Sequence, residues 1–130
     1  MKHENVLIVE DEKEIFELYK EYLEETDHFD KIIHAKDGIK GLELINSQKF
    51  KFIILDLNIP KISGIQILEK MKEKTSESRK RPNFNTPILI ISGNIFSREA
   101  IKAAKLGVKN VLVKPCDQDK LLKQIDGIFF

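Results

Sequence analysis

Five short apolar runs alternate along the chain with five stretches of helical spacing. Val6-Leu7-Ile8-Val9, Phe52-Ile53-Ile54-Leu55 and Ile88-Leu89-Ile90-Ile91 are unbroken and rich in β-branched residues. Alternation of apolar and polar residues marks a strand with one wet face, whereas an unbroken run predicts a strand covered on both. A second strand is expected near Lys31–Ala35, and a fifth over Val108 and Val111–Val113. Between the runs, Ile15, Phe16, Leu18, Tyr19, Tyr22 and Leu23 predict a wide apolar face on a helix over about residues 12–25. Asp37 is a predicted cap for a helix striped by Ile39, Leu42 and Ile45. Pro60 and Gly64 mark a loop before a helix carrying Ile65, Leu68 and Met71. Ser97 opens a helix with Ile101, Ala104 and Leu106, closed by Gly107, and Asp117 opens the last, with Leu121, Leu122 and Ile125. Residues 74–86 form one polar connection, expected to be solvated and too short for a domain linker.

Strand and helix in regular alternation predict an α/β fold, a parallel sheet with helices on both faces and right-handed crossovers. With 130 residues, the reading is one domain over 1–130, since domains commonly run about 100–150 residues. A content of 42% hydrophobic and 33% charged residues excludes a disordered chain. No apolar run approaches a membrane span, and Met1-Lys2-His3-Glu4 does not open a signal peptide. The lone Cys116 has no disulfide partner, so a cytoplasmic protein is expected. The net charge of +1 conceals an acidic first half and a basic second half. The basic run Lys70, Lys72, Lys74, Arg79, Lys80 and Arg81 lacks interleaved aromatics, and a solvated face is expected there rather than direct DNA binding.

Ligands in such folds sit beyond the carboxyl ends of the strands. There the first run delivers Glu10, Asp11 and Glu12, the third Asp56, the fourth Ser92 and the fifth Lys114. Carboxylates gathered at one crevice repel one another, and a hard divalent cation with oxygen ligands relieves that repulsion. Phosphoryl transfer suits these parts. A carboxylate serves as nucleophile, and a cation, an ammonium and a hydroxyl each stabilise one equatorial oxygen of the transition state. In this reading Asp56 attacks, Lys114 and Ser92 hold the phosphoryl group, and Asp11 with Glu10 hold the metal.

Val-Leu-Ile-Val-Glu-Asp-Glu at 6–12, Ile-Ile-Leu-Asp-Leu-Asn-Ile-Pro at 53–60 with Gly64, Ile-Ile-Ser-Gly at 90–93 and Val-Leu-Val-Lys-Pro at 111–115 together resemble the receiver domain of two-component response regulators. The resemblance spans essentially the whole chain, with the motifs in order. It implies a flavodoxin-like, doubly wound sheet of five parallel strands in the order 2-1-3-4-5. It implies Asp56 as phosphoacceptor, Asp11 as direct Mg²⁺ ligand (Mn²⁺ as a substitute), Glu10 acting through metal-bound water, and the backbone carbonyl of Asn58 on the metal. Ser92 matches the switch hydroxyl, Lys114 the phosphate-binding lysine, and Lys114-Pro115 a cis peptide. Gly93 leaves room for the phosphoryl group, while Asn58 and Asn94 flank it. Two positions depart from the family pattern. Val111 stands where an aromatic commonly rotates inward, and the connection at 74–86 is longer than usual. Output is therefore expected to rely on the loop and helix after Ser92.

The implied partners are a sensor histidine kinase or histidine phosphotransfer protein and an unknown downstream protein target, for a monomer or weak dimer. The chain is read as stand-alone or as excised from a longer regulator. Alternatives are a pseudo-receiver that binds without phosphorylation and a haloacid-dehalogenase-type aspartyl-phosphate hydrolase. The latter is disfavoured because Asn58 stands where a second Asp is needed. His3, His28 and His34 are scattered, and each is expected to be a surface or satisfied histidine rather than a phospho-histidine. Cys116 is expected to pack behind the lysine loop, Tyr19 and Tyr22 to face the core, and Phe129 and Phe130 to cap the first and last helices.

Overall fold

Runs without a polar side chain can be strands only where both faces are covered. The computed structural model describes residues 4–129. In it β1 (Val6–Val9), β3 (Phe52–Asp56) and β4 (Ile88–Ser92) are buried at every position. They form the centre of a parallel sheet in the order β2-β1-β3-β4-β5, as the family resemblance implied. The edges are β2 (Ile32–Ala35) and β5 (Asn110–Val113), both only partly buried. The register sets Val9 beside Leu55, Asp56 beside Ile91 and Ser92 beside Val113, so the carboxyl ends finish together on one edge.

Alternate residues of the central strands feed two cores. Val6, Ile8, Phe52, Ile54, Leu89 and Ile91 pack under α1 (Lys13–Glu24) and α5 (Gln118–Phe129). Leu7, Val9, Ile53, Leu55, Ile88 and Ile90 pack under α2 (Gly38–Ser47), α3 (Gly64–Lys72) and α4 (Arg98–Lys105). Each such buried aliphatic side chain contributes about 1.5–3 kcal/mol relative to exposure. The predicted caps form. Asp37 Oδ1 accepts from Lys40 N at 2.8 Å, Ser97 Oγ from Ala100 N at 3.1 Å and Asp117 Oδ1 from Lys120 N at 2.9 Å. Ser63 and Gln66 add a capping box at α3.

Three helix faces differ from the periodic reading. Leu18, Ile39 and Ile101, each expected inward, are exposed. The inward positions are Phe16, Tyr19 and Leu23 on α1, Gly38, Gly41 and Ile45 on α2, and Ala100 and Ala103 on α4. Small residues win on α2 and α4 because those helices approach the sheet closely. A Cβ on Gly41 would stand 3.1 Å from a Val9 methyl. Hydrophobic spacing does not register this preference, because it ranks residues by hydrophobicity and not by how close an approach they allow. Val108 is buried but precedes β5 rather than belonging to it, after Gly107 turns the chain at φ +97°. Phe129, at the end of α5, packs into the α1–α5 side of the core against Phe52 and Phe29, with ring centroids 5.7 and 6.5 Å away. His3 and Phe130 lie outside the described residues.

The connection at 74–86 is not a solvated stretch along its length. A short 3₁₀ turn at Ser78–Lys80 leads to Arg81, whose guanidinium donates to the carbonyls of Lys70 and Met71 at the end of α3. Asn83 is buried and ties three segments together. Its amide donates to the Ile45 and Gln48 carbonyls at 2.7 and 2.8 Å, and its carbonyl accepts from Phe50 N at 2.9 Å. Thr86 Oγ1 donates to the same Asn83 oxygen at 2.9 Å. The extra length is therefore a staple between the end of α2, the start of β3 and β4. Asn83→Ala strands several buried groups at about 1–3 kcal/mol each, so urea unfolding is expected to show a loss of at least ~2 kcal/mol. The exposed Asn85→Ala is expected to stay within about 0.5 kcal/mol of the parent in the same measurement.

Candidate functional site

Each central strand changes character at its last residue, where the covering helices end. Past β1 come Glu10 and Asp11, at the end of β3 Asp56, at the end of β4 Ser92, and past β5 Lys114. Lys114 Nζ reaches across β4 to donate to Asp56 Oδ2 at 2.7 Å, and stands 3.6 Å from Glu10 Oε1. Glu10 and Asp56 are buried, at 2% and 3% exposure, while Asp11 is exposed. One carboxylate oxygen from each of Glu10, Asp11 and Asp56 lies within 4.8 Å of the other two. Backbone amides hold the two buried acids in place. Glu12 N donates to Glu10 Oε2 at 3.2 Å and Asn58 N to Asp56 Oδ1 at 2.9 Å.

Burial pushes the Glu10 carboxyl up to about 7, with the Asp56 charge adding to the effect; the Glu12 amide and the Lys114 ammonium act against it. Burial works against the Lys114 ammonium too, but its hydrogen bond and ion pair with Asp56, and then Glu10, outweigh it and hold its pKa above the usual lysine value. Glu10 Oε1 is buried without a hydrogen-bond partner. An unsatisfied carboxylate oxygen beside two further acids is the donor set of a hard cation, so these residues fit Mg²⁺.

Ser92 Oγ donates to the Asn94 carbonyl at 3.1 Å and accepts from Asn94 N at 3.3 Å, so it is turned onto its own loop. Space beside Gly93 is open. The Lys114-Pro115 peptide is cis, and Lys114 N donates to the Ser92 carbonyl at 2.8 Å, which ties the two strand ends. Val111 is half-buried and packs into the α2–α3–α4 core. Cys116 is buried behind the lysine loop and Tyr19 is buried beneath it; Tyr22 is half-buried. His34 is the residue that the sequence reading missed. Its ring stacks on Phe16 at 4.0 Å and 7°, and its Nε2–H donates to the Glu10 carbonyl at 2.6 Å. It is the satisfied histidine that was expected, but one that braces the backbone of the acidic pair. Only the β1–β2 register, which sets Ile8 beside His34, brings residues 24 apart together, and no local signal carries that register.

The sequence profile of the response regulator receiver domain matches residues 6–126. The chain belongs to this family. The receiver is 29% identical over 128 residues to the chemotaxis protein CheY-3 of Vibrio cholerae, covering 98% of this chain and 93% of that one. It is 31% identical over 124 residues to the response regulator ArlR of Staphylococcus epidermidis, covering 95% of this chain but 52% of ArlR. The chain thus spans about half the length of several curated relatives it matches. Among solved structures, the Francisella response regulator 1452 receiver domain superposes with a TM-score of 0.76 at 32% identity, over 96% of this chain and 95% of that one. Vibrio cholerae CheY4 superposes with a TM-score of 0.78 at 25% identity, over 98% and 100%. Receiver domains signal by phosphorylation and bind Mg²⁺ at an acidic pocket of this kind. Among the described residues, no helix is long and apolar enough to cross a membrane.

The raised Glu10 value has a consequence for the receiver without metal. The folded chain holds that proton more tightly than the unfolded chain. The stability Glu10 contributes is therefore fully present below its ordinary value of 4.5 and is lost as pH rises through about 7. With a chelator present, the parent is expected to lose stability against Glu10→Gln as pH goes from about 5 to about 8. Urea unfolding of both proteins across that window measures this, and a difference independent of pH counts against it.

Proposed function

We propose that this receiver accepts a phosphoryl group on Asp56 from the phospho-histidine of a sensor histidine kinase or histidine phosphotransfer protein. The observation that carries the reading is the buried Asp56 carboxylate, 2.7 Å from Lys114, with Glu10 and Asp11 gathered beside it. A carboxylate oxygen of Asp56 forms the bond to phosphorus as the bond from phosphorus to the donor imidazole nitrogen breaks, and the imidazole leaves with the electron pair. Lys114 follows the negative charge from the carboxylate to the phosphoryl oxygens and neutralises part of it. Asp11, Asp56 and the Asn58 carbonyl would hold Mg²⁺, with Glu10 acting through water; Mn²⁺ suits the same oxygens. When bound, the ion supplies charge neutralisation between carboxylate and phosphoryl oxygens.

The response begins at Ser92. Its hydroxyl leaves the Asn94 carbonyl to donate to a phosphoryl oxygen. That carbonyl also accepts from Ser97 N, the cap of α4, at 3.1 Å, so the loop and α4 feel the loss. Val111 has no ring to rotate, which leaves the 93–97 loop as the moving part. The face it moves carries exposed Phe96 and Ile101 among Arg98, Lys102 and Lys105, and suits a downstream protein target. Signalling by protein contact, in a cytoplasmic two-component pathway, follows from this reading.

Acetyl phosphate with Mg²⁺ is expected to add one acid-stable, base-labile phosphoryl group, detected by intact mass, and Asp56→Asn is expected to abolish it. Labelling that survives Asp56→Asn, or no response to acetyl phosphate or beryllofluoride, sinks the reading. Ser92→Ala is expected to accept the phosphoryl group while hydrogen exchange across α4 no longer changes. An α4 response equal to that of the parent would remove Ser92 from the output path.

A further inference from the structure

The loop from Leu57 to Ser63 carries Asn58, whose carbonyl belongs to the metal site in the reading above, on which this inference rests. Its near end is held by Gly64. Gly64 N donates to the Leu57 carbonyl at 3.1 Å, and a Cβ there would stand 2.4 Å from the Asp56 carbonyl. Its middle has no strand or helix of its own to hold it, and Lys61 sits at φ +72°, a conformation that non-glycine residues avoid. Something outside the loop must impose that shape.

The N-terminus of α2 does so with two adjacent residues. Asp37 is buried and divides its carboxylate. Oδ1 accepts from Lys40 N as the helix cap, and Oδ2 takes Lys61 Nζ at 3.2 Å. These same contacts, the Lys40 amide first, hold the Asp37 carboxyl below its ordinary value. Gly38 N donates to the Pro60 carbonyl at 3.2 Å. Gly38 also lets the loop pass against the helix. A Cβ there would lie 1.7 Å from the Ile62 carbonyl oxygen and 2.5 Å from its carbon. Both are backbone atoms, so an added methyl has to push the loop itself. The ion pair alone is a weak tether, because Lys61 is exposed; the backbone contact at Gly38 is the firm one.

We propose that Asp37 and Gly38 are positioning residues for the metal site. They touch none of the acids, but they fix the loop between Asp56 and α3 and so set where the Asn58 carbonyl stands. The junction of β2 and α2, on the far side of β1 from β4, then tunes Mg²⁺ affinity.

The test is calorimetric titration of the full chain with MgCl₂, without phosphodonor, alongside thermal unfolding of the metal-free proteins. Gly38→Ala is expected to weaken Mg²⁺ binding roughly ten-fold, as loss of an outer support commonly does. Lys61→Gly, which suits the positive φ and removes the ion pair, is expected to weaken it by a smaller but measurable factor of roughly two to three. Gly127→Ala, at a helix position where a Cβ meets nothing, is expected to bind like the parent. A merely structural junction would lower the metal-free unfolding midpoint and leave the dissociation constant unchanged. Folded Gly38→Ala with parental Mg²⁺ affinity therefore overturns the proposal. If Gly38→Ala does not fold, Lys61→Gly decides in the same way, with weaker binding supporting the proposal and parental binding overturning it. A parent chain that binds no Mg²⁺ overturns the metal reading and this inference with it, whereas a parent that binds and variants that bind equally overturn only this one.

Discussion

Three adjacent strands sealed on both faces have no place for a polar side chain except at their ends. That constraint organises the receiver. β1, β3 and β4 run apolar to their last residues because helices cover every position between. Charge reappears where the helices stop, and because the strands are parallel, it reappears on one edge. Glu10, Asp56, Ser92 and Lys114 meet there without being neighbours in sequence. Burying two carboxylates side by side carries a desolvation penalty of several kcal/mol per ion, and an ion pair offsets only part of it. Lys114 supplies that pair, and Glu10, raised to about 7, shows how much repulsion and burial it leaves uncorrected. The donor set in such a pocket suits a hard cation.

The same geometry explains how so small a site has consequences elsewhere. Its residues stand on different strands, and each strand end runs into a loop that opens a helix. Ser92 shares the Asn94 carbonyl with the cap of α4, so the hydroxyl and the helix are joined through one acceptor. Asp56 is followed by the loop that α2 holds in place through Asp37 and Gly38. His34 on β2 braces the backbone after β1. α2, α4 and β2 are thus each tied to the loops around the pocket by one or two polar contacts.

Much of this was legible beforehand, and the exceptions are instructive. Unbroken runs identified the buried strands, since four consecutive apolar positions rich in β-branched residues, within a helix-and-strand alternation, call for cover on both faces. Asp37, Ser97 and Asp117 announced helix starts because capping is a local interaction between a side chain and amides two or three residues on. The strand-end acids, Ser92 and Lys114 followed from the same punctuation. The facing of helices was harder to read. Ile39 and Ile101 look like core residues by hydrophobicity, but a helix that must lie close to a sheet turns its glycines and alanines inward. The connection at 74–86 looked solvated because its composition is polar; Asn83 is instead buried, where its side chain pairs with the Phe50 amide and two carbonyls at the end of α2.

Taken alone, the sequence determined the order of elements, the parallel sheet, the edge on which chemistry would appear and the residue types present there. These depend on periodicity, capping and chain punctuation, which act over a few residues. Tertiary structure alone decided that Lys114 reaches Asp56 rather than solvent, that Glu10 is buried beside it, that His34 supports the acidic pair and that Gly38 must be glycine. Each of these depends on strand register and on how closely two backbones approach. Both are set by packing the whole chain at once, so no local stretch of sequence records them.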